Sequence, residues 1–180
     1  MTVIAGLVHG GSVYIGGDSA GIAGYCLDLM PDSKVFRLSP HIVVGFTTSF
    51  RMGQIIRYRM DGLKPPEDDL DRWMVVEFIE KLRTVLSEGG FKKRENEQDE
   101  GGTFLIGIRD RLFRIEGDFQ VGESGYPFNA VGCGADIARG SLASTVDMRD
   151  PQARIRLSLE VTESLSAGVR GPFTILDTTQ

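Results

Sequence analysis

Short stretches of alternating apolar and polar residues fill the first quarter of the chain, a pattern typical of β-strands. Predicted strands in this part are residues 2–8, 12–17, 34–38 and 42–46. Gly10 and Gly11 between the first two strands indicate a hairpin turn. The stretch from residue 21 to 31 has no such alternation and is predicted to be a loop.

Further along, the apolar residues recur at a helical spacing. Residues 49–60 and 70–86 are predicted helices, separated by the helix-breaking pair Pro65-Pro66. The charged run 92–100 is predicted to be a solvated loop rather than an interaction tail. The remaining predicted elements are strands 103–108, 112–116 and 128–131, helices 134–146 and 151–166, and strand 173–176.

This order of elements predicts the fold class. Strands are followed by two helices, more strands, two more helices and a last strand. Two antiparallel sheets packed face to face, with a helix pair outside each, would bury every apolar face in that order. We therefore predict an α+β protein, a four-layer αββα sandwich. The 180 residues contain no repeat or linker, so residues 1–180 are expected to form a single domain.

Composition excludes several classes of function. The net charge of −5 argues against a nucleic-acid scaffold. No signal peptide or bilayer-length apolar run is found, so no membrane contact and a cytoplasmic location are expected. With two cysteines and two histidines, no metal-ligand spacing occurs, and we expect neither a metal nor an organic cofactor.

Three residues near the amino terminus could form a reactive group. Thr2 follows Met1, and a small second residue permits removal of that methionine. The hydroxyl of an amino-terminal threonine is the nucleophile, and its α-amine, with a pKa of about 7.7–8.0, can take the hydroxyl proton. Lys34 would tune that amine, and Asp18 would hold Lys34 charged and oriented.

These residues carry a family resemblance. The stretches TVIAGLVHGGSVYIGGDS and KVFRLSPHIVVGF resemble the opening of proteasome β-subunits and the HslV-type peptidase, members of the N-terminal-nucleophile (Ntn) hydrolases. Thr2, Asp18 and Lys34 match that pattern in register, without a gap. The phrase TTSFRMGQ is similar to divergent proteasome-like proteins of bacteria and phages. The resemblance implies a threonine peptidase that acts on peptides or proteins, in a homo-oligomeric ring, with an ATP-dependent unfoldase as a possible partner.

The resemblance also assigns roles to residues later in the chain. Thr48 stands where the family usually has a glycine whose backbone N–H binds the oxyanion. Cys133, in AVGCGADIARGSLAS, stands where the family has a catalytic-site serine. In ESLSAG, Glu163 stands for an aspartate, and Ser166 for a serine, both near the terminal threonine. The resemblance thus implies that Cys133, Glu163 and Ser166 position the terminus or its water.

Two other functions stay open at this point. The substitutions at Thr48, Cys133 and Glu163, or retention of Met1, would suit a non-catalytic shell or assembly subunit with the same fold. A side chain at Thr48 would instead suit a small-amide Ntn hydrolase, because it narrows a peptide cleft. Taken singly, Asp18 is typical of a turn residue and Lys34 of a solvated strand edge, so only their combination with Thr2 favours catalysis.

Overall fold

The computed structural model describes residues 1–91, 93–95 and 98–179, with the backbone alone at 93–95 and 98–100. The strands are β1 (Val3–His9), β2 (Ser12–Gly17), β3 (Ala20–Ala23), β4 (Cys26–Leu29), β5 (Val35–Ser39), β6 (Ile42–Phe46), β7 (Lys93–Glu95), β8 (Gln98–Glu100), β9 (Phe104–Ile108), β10 (Arg111–Ile115), β11 (Val121–Glu123), β12 (Phe128–Gly132) and β13 (Thr174–Asp177). The helices are α1 (Phe50–Arg59), α2 (Leu70–Trp73), α3 (Ile79–Glu88), α4 (Ala135–Ser144) and α5 (Pro151–Leu165). A π-helical turn, Met74–Phe78, joins α2 to α3.

Two antiparallel sheets form the centre of the fold. One has four strands in the order β12-β1-β2-β13, and the other has five in the order β11-β10-β9-β6-β5. β1 pairs with β12 on one side and with β2 on the other, both antiparallel, so the first strand of the chain lies inside its sheet. The segments β3–β4 and β7–β8 form separate two-stranded hairpins.

Three apolar clusters separate the layers. One packs helices α1 to α3 against the five-stranded sheet, and a second packs α4 and α5 against the four-stranded sheet. The third lies between the sheets and contains residues from both, including Ile4, Ile15, Val43 and Leu105. The predicted α+β class and αββα layering are confirmed.

Helix boundaries follow from capping residues. The Ser49 hydroxyl accepts from the Arg51 N–H at the start of α1. The Asp150 carboxylate accepts from the N–H groups of Gln152 and Ala153 at the start of α5, where Pro151 occupies the first turn. Both caps satisfy backbone donors that have no partner within the helix.

The sequence-based prediction was wrong in three local regions. Residues 21–31, predicted as a loop, contain most of the β3–β4 hairpin, because Gly24 supplies the positive φ of its turn. The charged run, predicted as a loop, contains the strands β7 and β8, which pair with each other. Lys92, Asn96 and Glu97 lie outside the described residues, and so do the side chains of the run, on which its predicted solvation depends. The short strand β11 was missed, since three residues give little periodicity.

None of the described helices is long and apolar enough to cross a bilayer.

Candidate active site

The hairpin of β1 and β2 brings the start of the chain beside Asp18. Ile4 pairs with Gly17, so Thr2 and Asp18 are neighbours just beyond the paired ends of the two strands. The Val3 N–H donates to Asp18 Oδ1 at 3.1 Å, and the Asp18 N–H donates to the Val3 carbonyl at 3.4 Å. This end of the four-stranded sheet holds both residues in place.

Lys34 reaches the same point from the other sheet. It directly precedes β5, and its carbonyl accepts from the Phe46 N–H of β6 at 3.0 Å. The Lys34 Nζ donates to Thr2 Oγ1 at 2.5 Å and to Asp18 Oδ1 at 2.9 Å. All three residues are buried. The two sheets thus meet at a hydrogen-bonded chain that runs from Asp18 through Lys34 to the Thr2 hydroxyl.

Backbone donors fix the carboxylate at the inner end of this chain. Asp18 Oδ2 accepts from the N–H groups of Ala20 at 3.0 Å and Arg170 at 3.4 Å. A buried carboxylate needs such donors because it has left water. Asp18 is therefore oriented independently of Lys34, and it presents its other oxygen to the ammonium.

Burial and the carboxylate act on Lys34 in opposite directions. Desolvation lowers the pKa of the Lys34 ammonium below its ordinary value, while the charge and hydrogen bond of Asp18 raise it in partial compensation. The result is a lysine that loses its proton more readily than one at the surface. It is also the cation nearest to the Thr2 hydroxyl.

Cys133 contacts the backbone of Thr2 rather than its side chain. The Thr2 N–H donates to Cys133 Sγ at 3.2 Å, and the thiol lies 3.4 Å from the Thr2 carbonyl oxygen. Gly132 precedes it with a φ of +97°, and a Cβ there would lie 2.3 Å from that carbonyl oxygen. The turn into α4 can approach Thr2 this closely because residue 132 has no side chain.

Glu163 and Ser166 lie at the end of α5 and hydrogen-bond locally. The Glu163 carboxylate accepts from the Gly171 N–H at 3.0 Å, and the Ser166 hydroxyl accepts from the Gly168 N–H at 3.3 Å. Neither hydrogen bond reaches Thr2. A Cβ at Gly168 would lie 2.8 Å from Cys133 Sγ, so the turn that contains Ser166 packs on Cys133.

Thr48 has an unusual backbone conformation at the edge of the site. Its φ is +70°, in the left-handed region that a β-branched residue rarely adopts. The N–H groups on either side have acceptors: the Thr47 N–H donates to the Thr103 carbonyl, and the Ser49 N–H donates to the Thr47 carbonyl. The Thr48 N–H has no acceptor among the described residues. Thr48, which lines the same cleft as Thr2, therefore carries a free backbone donor.

That cleft has a volume of about 320 Å³ and is open to solvent. Its polar lining residues include Thr2, Lys34, Thr48 and Asp28. Its apolar lining comes from residues 20–23 of β3, from Met30, and from Phe46 and Phe50. The Phe46 and Phe50 rings pack edge to face with their centroids 5.9 Å apart. Thr2 thus lines a groove whose walls are mainly apolar.

The sequence did not indicate the walls of this cleft. Met30 and Asp28 fall in the segment predicted as a loop, and Phe50 was assigned only to a helix. The helical spacing of Phe50 and its neighbours marks a buried face but gives no sign that one ring borders a groove. An alternation of small and apolar residues over 20–23 was the one signal that could have identified β3.

Within the described part of the chain, no group of three or more His, Cys, Asp or Glu side chains is arranged to hold a metal ion.

Comparisons with known proteins agree on the fold. No protein-family model matches the sequence, and no curated protein sequence matches it. Among solved structures, BPH from Thiobacillus denitrificans is similar with a TM-score of 0.81 at 19% identity, over 97% of this chain and 96% of that one. BPH has also been solved in complex with epoxomicin.

Two further solved structures extend the same likeness. HslV from Trypanosoma brucei has a TM-score of 0.71 at 15% identity, over 97% of this chain and 98% of that one. A Gly-1 mutant of Anbu from Hyphomicrobium sp. strain MC1 has a TM-score of 0.70 at 17% identity, over 99% of this chain and 83% of that one. The chain therefore has the proteasome-like Ntn-hydrolase fold, the αββα sandwich that these proteins share.

Proposed function

We propose that this protein is an amino-terminal threonine hydrolase of amide bonds, most simply a peptidase, which acts through an acyl-enzyme on Thr2 once Met1 is removed. The observation that carries the proposal is the buried chain from Asp18 through Lys34 to Thr2 Oγ1 in a cleft whose walls are mainly apolar. A hydroxyl is a weak nucleophile unless a neighbouring group takes its proton. This site supplies such groups on both sides of the hydroxyl.

Activation of the nucleophile uses the new amino terminus. The Thr2 α-amine has an ordinary pKa near neutrality, so it can accept the hydroxyl proton directly or through one water. The Lys34 ammonium, 2.5 Å from Oγ1, stabilises the developing alkoxide. Asp18 keeps Lys34 oriented. The amine then returns the proton to the leaving amine, and a water hydrolyses the ester on Thr2.

The carbonyl oxygen of the substrate needs a donor when it becomes an oxyanion. Thr48 lines the same cleft as Thr2, and its free N–H is the backbone donor we assign to this role. No described residue accepts from this N–H, so it has no hydrogen bond to break when charge develops on the substrate.

Removal of Met1 is required by this mechanism. With Met1 present, the Thr2 nitrogen is part of a peptide bond and cannot act as a base. Met1 itself is 61% exposed, and its carbonyl lies 3.5 Å from Lys34 Nζ. Once Met1 leaves, the amine lies beside the Cys133 thiol, which accepts from the same nitrogen at 3.2 Å. We assign Cys133 the role of positioning that amine, with Ser166 and Glu163 supporting the turn behind it.

A non-catalytic shell subunit is the main alternative. The residues that depart from the family pattern, Thr48, Cys133 and Glu163, favour it, and so would retention of Met1, which leaves the Thr2 nitrogen in an amide. Lys34 favours catalysis over a shell role. Burying an ammonium carries a desolvation cost, and a catalytic role is a reason for a protein to retain such a residue. A small-amide hydrolase would use the same residues on a more compact substrate.

We also propose, by analogy with proteins of this fold, a single domain over residues 1–180 that assembles into a homo-oligomeric ring in the cytoplasm. An ATP-dependent unfoldase is a further partner that the analogy suggests.

The test is the intact mass of the protein before and after exposure to epoxomicin or a β-lactone. We expect loss of Met1 and a single adduct. The Thr2→Ala variant should give no adduct, whereas Cys26→Ala, at an exposed cysteine outside the site, should still give it. Protein whose Thr2 is freed by cleaving an amino-terminal fusion is measured in parallel. Labelling of the freed protein alone would mean that processing, not chemistry, is missing. No adduct on either form would favour the shell subunit.

A further inference from the structure

Thr48 is the one residue at the site that combines a rare backbone conformation with a side chain at the cleft. Its φ of +70° belongs to a region where glycine is the usual residue. Its side chain is exposed and lines the groove that holds Thr2. Backbone outliers of this kind persist when the surroundings hold them, and they are frequent at functional sites.

The surroundings of Thr48 hold this conformation from two sides. Its hydroxyl lies 3.2 Å from the Thr47 hydroxyl, which in turn donates to the Thr103 carbonyl at 2.8 Å. Gly102 leaves the space for it, since a Cβ there would be 3.0 Å from Thr48 Oγ1. These contacts favour the position of the side chain beside the groove.

The position of the side chain relative to the chemistry sets its effect. The Thr48 N–H has no acceptor among the described residues, and a carbonyl bound to it would lie beside the Cβ of the same residue. The group attached to that carbonyl carbon must pass this side chain. Phe46 and Phe50 also line the groove. The Phe46 ring has little room to move away from it, because the ring lies against Gly53, where even a Cβ would be 2.3 Å from it.

The size of the groove agrees with this restriction. Its volume of about 320 Å³ is at the lower end of the range for ligand pockets, roughly 300–1,000 Å³. Its walls are mainly apolar. A compact apolar acyl group fits such a space, whereas a bulky group next to the carbonyl would collide with Thr48.

We infer that Thr48 determines specificity, as a gate that admits compact apolar acyl groups to Thr2 and excludes those with a bulky substituent next to the carbonyl. This inference rests on the proposed function, because it assumes that Thr2 is the nucleophile. It adds the substrate class, which the nucleophile alone does not define.

Two β-lactones that differ only in the substituent next to the carbonyl, methyl or benzyl, test the gate. Thr2 Oγ attacks the lactone carbonyl, the ring C–O bond breaks, and the released oxygen takes the proton, so the adduct equals the mass of the lactone. We expect the wild type, with Thr2 exposed, to react with the methyl lactone at least about tenfold faster than with the benzyl one.

Three variants make the comparison specific. Thr48→Gly keeps the backbone N–H but removes the side chain, and should bring the two rates within about threefold of each other. Thr48→Val keeps the volume without the hydroxyl and should keep the wild-type preference. Thr2→Ala should give no adduct. Thr48→Gly should also raise Tm by about 2–4 °C. The backbone strain that glycine relieves in the folded state outweighs the extra conformational entropy that it gives to the unfolded chain.

Each outcome decides one question. Equal wild-type rates for both lactones, or an unchanged preference in Thr48→Gly, would overturn the gate while leaving the nucleophile intact. A benzyl adduct that forms only in Thr48→Gly would support it. If neither lactone labels the wild type or Thr48→Gly, the proposed function fails, and the inference falls with it.

Discussion

Two buried basic side chains, Lys34 between the sheets and Arg154 between α4 and α5, differ in the groups that they contact. Lys34 is 2% exposed and has a carboxylate partner, Asp18, at 2.9 Å. Arg154 is 5% exposed, and no carboxylate of the described residues pairs with it; its Nη2 donates to the Leu142 carbonyl at 2.9 Å. Burial lowers the pKa of both groups.

The difference separates the cation at the proposed active site from a structural one. Arg154 satisfies a carbonyl in the last turn of α4, where the helix dipole also favours positive charge. A guanidinium stays protonated even when burial lowers its pKa, so it is suited to such a cap. Lys34 borders an open cleft, contacts a hydroxyl, and can exchange a proton. Burial of charge alone is therefore a weak sign of function, and the partner and the access to solvent are the informative features.

The largest expected effect comes from breaking the buried pair. Lys34→Met leaves the Asp18 carboxylate without its cation and should lower the free energy of unfolding by about 3–5 kcal/mol, besides abolishing labelling of Thr2. Chemical denaturation measures the loss. The double variant Lys34→Met, Asp18→Asn should recover part of it, because no uncompensated charge remains. Equal stability of the single variant and the wild type would mean that the pair does not form.

The pH dependence of stability sharpens the same contrast. Folding lowers the pKa of Lys34 below its ordinary value of 10.5, so between the two values the unfolded chain binds more protons than the folded one. The wild type should therefore gain stability relative to Lys34→Met as pH rises through that window, by at most about 1.4 kcal/mol per pH unit. Denaturation curves from pH 7 to 10 measure it. A difference that shrinks with rising pH would contradict the lowered pKa.

Replacement of Arg154 should have a smaller effect. Arg154→Met loses one hydrogen bond to Leu142 but also removes a desolvated charge, so the free energy of unfolding should change by no more than about 1–2 kcal/mol. The labelling rate of Thr2 should stay within about twofold of the wild type. A large loss of labelling in a folded Arg154→Met variant would show that this region also controls the site.

The smallest expected effect is at Ser158, one helical turn after Arg154. Its hydroxyl is buried and has no hydrogen-bond partner in the part of the chain that the structure describes. Ser158→Ala should raise the free energy of unfolding by about 1 kcal/mol, because it removes an unsatisfied polar atom and favours the helix. Thermal unfolding measures the gain, and Ser164→Ala, at an exposed position of the same helix, is the control. A loss of stability would indicate a partner for the hydroxyl.

The sequence was informative where the candidate site depends on the order of neighbouring strands. Thr2 and Asp18 lie on adjacent strands of one hairpin, and Lys34 begins a strand of the facing sheet, so their proximity follows once the layers are predicted. The αββα layering was also predictable, because each strand or helix with one apolar face must bury that face against another layer. The register of Thr2 with the other two residues was therefore the strongest functional signal in the chain.

The remaining features depend on geometry that residue patterns do not encode. The left-handed φ of Thr48 and its unused N–H have no signature in the letters TTS. The buried state of Arg154 also could not be predicted, because an arginine in an amphipathic helix is usually solvent-exposed. The roles of Glu163 and Ser166 stay predictions, since both residues bond locally near the site.

Asp18 receives hydrogen bonds from three distant parts of the chain, and this has a consequence for unfolding. Its donors include Val3 in β1, Lys34 before β5 and Arg170 after α5. These groups can surround the carboxylate only while both sheets and the segment after α5 are packed together. Separation of any one of them would leave a buried carboxylate short of donors, so we expect the candidate site and the fold to be lost in one transition.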